Sequence, residues 1–151
     1  MPAEIEISPV AVEEFERLLP LIAAYQRFYE VESIDETRNR TFFRRFLGPS
    51  EDGLLLAASR DGRLVGYACL YWHFSSLEAC ESVLMNDLFV DESARGEGVG
   101  RALIEAAADV ARERGVPFVE WSTAPDNHTA QRLYDSTGAE RSEWFSYELR
   151  V

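Results

Sequence analysis

Seven consecutive residues, Arg95-Gly96-Glu97-Gly98-Val99-Gly100-Arg101, place three glycines at alternate positions between two arginines. Glycines so spaced let backbone N–H groups turn toward one anion without Cβ clashes. The run follows a strand pattern and opens an amphipathic helical one, so a helix N-terminus adds unpaired donors and partial positive charge. Arg95 and Arg101 supply full charges that can fork a phosphate. The chemistry indicated is capture of a phosphate or pyrophosphate. A nucleotide P-loop would need Gly-Lys-Ser/Thr where Gly100-Arg101-Ala102 stands, and a dinucleotide fingerprint would need glycine at Arg101. Neither fits. Taken alone, the stretch could still be a plain glycine turn before a helix.

A second constellation lies downstream. Asn127, Ala130 and Tyr134 fall at i, i+3 and i+7, so they share one helix face. A phenol there can donate a proton or a hydrogen bond, and an isolated tyrosine at this spacing can equally be a core aromatic.

Composition limits the rest. The net charge is −12, which argues against nucleic acid as a partner. Acidity is compatible with a cationic small molecule, and equally with solubility alone. All 15 basic residues are arginine. Cys69 and Cys80 form no C-x-x-C pair and read as free thiols. His73 and His128 lie far apart, so no metal is expected. The start, Met1-Pro2-Ala3-Glu4, lacks a basic and apolar leader. The longest apolar runs, such as Leu54 to Ala58, are far too short to span a bilayer. A cytoplasmic protein with no membrane partner is the expectation.

The elements that must position these residues follow from periodicity. Glu4 to Ile7 alternates as a first strand. A helical stretch begins at Pro9, with a kink or break expected at Pro20. Asp35 to Leu47 reads as a second helix, with Phe42, Phe43 and Phe46 on its apolar side. Leu54 to Ser59, Leu64 to Phe74 and Ser82 to Val90 read as three strands, the first two joined by the turn dipeptide Asp61-Gly62. Val99, Leu103, Ile104, Ala107, Val110 and Ala111 stripe the helix that follows the loop, and Gly115 with Pro117 stops it. Phe118 to Ser122 is a strand, Asn127 to Thr137 a short helix, and Trp144 to Leu149 a last strand. Residues 1–151 form a single domain. The class is α/β (α+β), because a crossover after a meander implies a mixed sheet with helices on both faces.

The stretch from Asp87-Leu88-Phe89-Val90 through Arg95 to Leu103 resembles the pyrophosphate motif of the GCN5-related N-acetyltransferases, a superfamily abbreviated GNAT. Its pattern, Arg/Gln-x-x-Gly-x-Gly/Ala, is filled by Arg95, Gly98 and Gly100. Glu120-Trp121 and the run from Asn127 to Tyr134 also look like that family, and the element order matches across essentially the whole chain. Within it, the look is closest to diamine and polyamine acetyltransferases and the related fungal histone or polyamine enzymes. Many diamine enzymes have an acidic pair before the position of Leu88, whereas Asn86 precedes Asp87 here.

The resemblance implies the GNAT fold: a mostly antiparallel mixed sheet of six to seven strands, splayed between strands 4 and 5. It implies acetyl-CoA as donor and attack on its thioester by a primary amine of a small cationic molecule (a polyamine, lysine-like or amino-acid amine). The family's tyrosine facing the thioester sulfur falls on Tyr134. Leu88, Phe89 and Val90 would run beside the pantetheine arm, with a backbone N–H near Phe89 facing the carbonyl oxygen. Gly96, Glu97, Gly98, Val99, Gly100 and Arg101 would hold the pyrophosphate, with Asn127 and Ala130 along the arm. The proton of the amine needs an acceptor, and Asp87 and Glu120 are both candidates. Acceptor pockets in this family are built by the first helices and strand ends, here Tyr25, Phe28, Tyr29, Glu30, Glu32, Trp72, His73 and Phe74. Aromatic rings beside carboxylates suit an ammonium group. A homodimer is implied as well, with Trp144, Phe145 and Tyr147 as apolar contact. The alternatives are an acyl-CoA-binding sensor without turnover, a protein lysine or N-terminal acetyltransferase, and a longer acyl donor. In every case the chain has no lysine side chain of its own to acylate.

Overall fold

The computed structural model describes residues 4–151, and Met1 to Ala3 lie outside the described residues. A first strand, β1 (Glu6–Pro9), leads through a short 3-10 turn into helix α1 (Phe15–Phe28) and then α2 (Glu36–Phe43). Strands β2 (Gly53–Arg60), β3 (Arg63–Ser75) and β4 (Cys80–Val90) follow, then α3 (Val99–Arg114), β5 (Val119–Glu120) and α4 (His128–Asp135).

Local chemistry explains most of these boundaries. Asp35 starts α2 by accepting the Arg38 N–H through its carboxylate. Asp61 and Gly62 both take positive φ in the β2–β3 turn, the conformation their side chains tolerate. Gly115 closes α3 in the left-handed conformation. Helix α1 runs unbroken through Pro20, contrary to the expected interruption. Pro20 is exposed, so the carbonyl that loses its donor there is available to water.

The sheet order is β1-β2-β3-β4-β5. The first three pairings are antiparallel and β4–β5 is parallel. Each face is covered. Phe15, Leu18, Ile22, Phe43 and Phe46 from the α1–α2 side meet Leu55, Tyr67 and Cys69. Val99, Leu103 and Ala107 of α3 meet Leu56, Ala58, Val65 and Met85 on the opposite face. Burial on both faces is why β2 reads as a continuous apolar run rather than an alternating one.

The sheet has five strands among the described residues, not six or seven. The expected last strand, Trp144 to Leu149, has no partner among the described residues and carries no secondary structure. An extended segment becomes a strand only when another strand satisfies its backbone groups. Among the described residues, no helix is long and apolar enough to cross a membrane.

Candidate active site

The parallel ladder between β4 and β5 consists of two pairs, Val83 with Val119 and Leu84 with Glu120. Beyond Leu84, β4 continues to Val90 without a neighbour on that side. The opening is a cleft of ≈ 420 Å³ between β4, the glycine loop, α4 and the end of α1.

One wall is backbone. Gly96 and Gly98 take positive φ, with Gly98 as the N-cap of α3. No side chain caps that helix, and its first internal bond runs from Ala102 N–H to the Gly98 carbonyl. The N–H groups of Val99, Gly100 and Arg101 therefore have no partner among the described residues. A Cβ on Gly100 would come within 2.9 Å of a Leu133 methyl, so this glycine lets α3 approach α4. Arg95 donates from Nε to the Val90 carbonyl at 3.0 Å, and its guanidinium lies near the rings of Phe28 and Phe89. Arg101 bonds the Ser136 hydroxyl, and Glu97 is held by Arg60 of β2.

Because the Val90 carbonyl faces Arg95, the two-residue alternation of a strand turns the Leu88 N–H toward the cleft as well. The Phe89 carbonyl instead sits over Gly66 of β3. The cleft side of β4 thus offers backbone groups to an extended ligand. A loop of free N–H groups flanked by arginines, continued by an unpaired strand, fits a pyrophosphate with an amide-bearing arm.

Asn127 caps α4, accepting the Ala130 N–H at 3.2 Å. Ala130, Leu133 and Tyr134 present the rest of that helix to the cleft. The Tyr134 ring meets Trp121 edge-on at 5.5 Å. Its hydroxyl has no hydrogen-bond partner among the described residues. Burial, and then the neighbouring Tyr29, push the phenol up to about 12, so it is protonated at neutral pH.

The far end is lined by side chains. Tyr25 and Phe28 of α1 and Tyr29 just past it form an edge-to-face series with centroids 5.1 Å apart. Tyr25 also contacts Tyr67 at 6.1 Å and Phe89 at 5.9 Å. Asp87 lies beside this aromatic group and is only 5 % exposed. It accepts from the Tyr67 hydroxyl at 3.2 Å and from Asn86 Nδ2 at 2.9 Å. Burial raises its carboxyl to about 6, against the pull of those two hydrogen bonds.

Most of the expected residues come together here. Tyr25, Phe28, Tyr29, Leu88, Phe89, Val90, Arg95, Gly96, Gly98, Val99, Gly100, Arg101, Asn127, Ala130 and Tyr134 all line the cleft. Asp87, Glu97 and Glu120 do not line it: Asp87 is buried against Tyr67 behind the aromatic group, Glu97 bonds Arg60, and Glu120 sits 3.2 Å from His73 Nδ1. Glu30 is exposed past the end of α1, as is Glu32. Trp72 and Phe74 are not brought to the cleft. The Trp72 indole donates to the Ser50 carbonyl and packs under Arg114, and Phe74 points to solvent near the far end of β3. Strand period explains this, since Trp72 and Phe74 alternate with Ala68 and Leu70 toward α3, opposite the face of Tyr67 and Cys69. Three lining residues went unnoticed in the sequence: Ala94, Thr129 and Leu133. For Leu133 the signal was present, three residues after Ala130 on the same helix.

A fold with this cleft, this loop and an aligned phenol defines an acyltransferase that takes its donor from coenzyme A. Residues 18–139 match the family described as the Acetyltransferase (GNAT) family, and the chain belongs to it. It is therefore an N-acetyltransferase, and its donor is acetyl-CoA. The D-amino-acid N-acetyltransferase HPA3 of Saccharomyces cerevisiae is 41 % identical over 112 residues, spanning 73 % of this chain and 69 % of that one. A crystal structure of a probable acetyltransferase superposes with a TM-score of 0.84 at 31 % identity, covering 97 % of both chains. The aminoglycoside N-acetyltransferase AAC(6')-Iy in complex with CoA shares the fold, with a TM-score of 0.86 at 18 % identity over 99 % of this chain and 97 % of that one.

Proposed function

We propose that the enzyme acetylates a primary amine on a small cationic molecule, of the polyamine, lysine-like or amino-acid type. The single observation that carries this is Asp87, a buried carboxylate without an ion-pair partner among the described residues, set beside the aromatic end of the cleft. An ammonium group is the natural complement of rings beside an anion. The similarity to a D-amino-acid N-acetyltransferase supports an amino-acid amine within that class.

Acetyl-CoA supplies an acetyl thioester activated toward amines. The N–H groups of Val99, Gly100 and Arg101, with Arg95 and Arg101, bind its pyrophosphate, while Leu88 and Val90 pair its arm and Asn127 and Ala130 border it. The Leu88 N–H, next to Phe89, would be the donor that stabilises negative charge on the thioester oxygen. Tyr134 keeps its proton and donates a hydrogen bond to the departing sulfur. With the phenol at about 12 and a thiol near about 8.5, complete transfer is uphill, so the hydrogen bond is the larger contribution. Asp87 takes the ammonium proton. Glu120 serves less well, since it lies against His73, whereas Asp87 is buried beside Tyr25 and Tyr67. Tyr25, Phe28 and Tyr29 bind the acceptor. Free thiols at Cys69 and Cys80 suit the reducing cytoplasm.

Thiol release from acetyl-CoA across amino acids, diamines, polyamines, thialysine, aminoglycosides and a histone-tail peptide tests this reading. Turnover concentrated on small amines is expected. Bound acetyl-CoA with no turnover on any amine would favour a sensor instead.

The enzyme works as a homodimer in this reading. Trp144, Phe145, Tyr147 and Leu149 are between 80 % and 95 % exposed, and no hydrogen bond joins residues 142–151 to the rest of the described chain. Phe145, Tyr147 and Leu149 fall on one side of an extended segment, a pattern that asks for a sheet edge. Sedimentation should give twice the chain mass, reduced to one on removal of residues 143–151. A monomeric full chain would refute it.

A further inference from the structure

Asp87 reaches its place through an irregularity in β4. Cys69 pairs with Asp87, but the next residue of β3, Leu70, pairs with Met85. Asn86 is thus an extra residue, a β-bulge. Without it, Asp87 would share the face of Met85, two residues earlier, and point into the apolar layer under α3. With it, Asp87 turns to the α1 face, beside Tyr67, Cys69 and Tyr25.

The bulge residue also serves as a ligand. Asn86 Nδ2 donates to Asp87 Oδ1 at 2.9 Å and lies 3.1 Å from the Tyr71 hydroxyl. The Tyr67 hydroxyl donates to Asp87 Oδ2 at 3.2 Å and is itself fully buried. Each carboxylate oxygen therefore has one donor. The titratable groups facing Asp87 are Tyr67, Cys69 and Tyr71 from β3 and Tyr25 from α1, all held protonated by burial, with no arginine among them.

We propose that Tyr67 and Asn86 are a positioning pair that keeps Asp87 ionised and aimed at the acceptor amine. The inference rests on Asp87 being the proton acceptor of the reaction. A carboxylate this buried, with no cation beside it, depends on neutral donors to stay charged near neutral pH. Tyr67 supplies a donor that is fully buried in the core. Asn86 supplies the other, and its own orientation is held through Tyr71.

The test is the pH profile of kcat/KM in the full chain for Tyr67→Phe and Asn86→Ala, with acetyl-CoA affinity and thermal unfolding measured beside it. The acidic limb should move up by about 1 pH unit in either variant, since each loses one hydrogen bond to the charged form. Rates should recover toward wild type above that limb, and acetyl-CoA affinity should stay unchanged. Asp87→Asn separates the two layers. If Asp87→Asn abolishes turnover while both variants keep the wild-type limb, the positioning role alone falls. If Asp87→Asn retains the rate and the limb, both readings fall. Should Tyr67→Phe lose its fold, Asn86→Ala, altered at a partly solvated bulge, decides alone.

Discussion

The two ends of the cleft are built from different material. The donor wall is made of backbone: free N–H groups at the start of α3 and the unpaired side of β4. The end proposed to take the acceptor is made of side chains from separate elements, with Tyr25 on α1, Tyr29 just past it, and Tyr67 of β3 and Asp87 of β4 buried behind them. Backbone sites tolerate sequence change provided the glycines remain. Side-chain sites change their ligand with each substitution. One fold can thus keep one donor while acceptors diverge.

Substitutions should fall on one side of this divide or the other. Asp87→Asn should have the largest effect, lowering turnover by about 10²–10⁴-fold while acetyl-CoA still binds. A parallel loss of donor affinity, read by titration calorimetry, would erase the distinction. Tyr134→Phe should cut kcat on the order of 10²-fold with donor affinity nearly intact. Equal rates in variant and wild type would remove Tyr134 from the chemistry. Gly98→Val should act in the opposite sense, weakening acetyl-CoA roughly tenfold for every acceptor alike. A β-branched residue at φ 87 costs about 1–3 kcal/mol of backbone strain. The smallest effect is on stability. Because the Asp87 carboxyl is raised to about 6, the folded state holds that proton more tightly than the unfolded chain. Stability therefore falls as pH rises from about 4 through about 6. Asp87→Asn should flatten that dependence and leave Tm at neutral pH no lower than wild type.

The same divide explains what could be read in the sequence. The loop at Gly96 and Gly98 is legible because positive φ and a helix start with free N–H groups are local properties of a few neighbouring residues. Helical spacing put Asn127 and Tyr134 on one face, and only the resemblance singled out the phenol. Trp72 and Phe74 were expected at the acceptor end because the resemblance places strand ends there, and strand period turned them to the other face. The bulge at Asn86 could not be read, because it is a mismatch between two strands and exists only once β3 and β4 pair. The terminal strand failed for a related reason. Its alternation is plain, but alternation specifies a face and not a partner.

The two-pair ladder between β4 and β5 has a consequence for isotope exchange. Leu88 and Val90 belong to an inner strand, flanked by covered layers, where amide protons ordinarily resist deuterium for as long as the whole fold persists. Their cleft-side amides have no such lock. In the free enzyme they should exchange as fast as a frayed margin, beside the protected amides of β2 and β3.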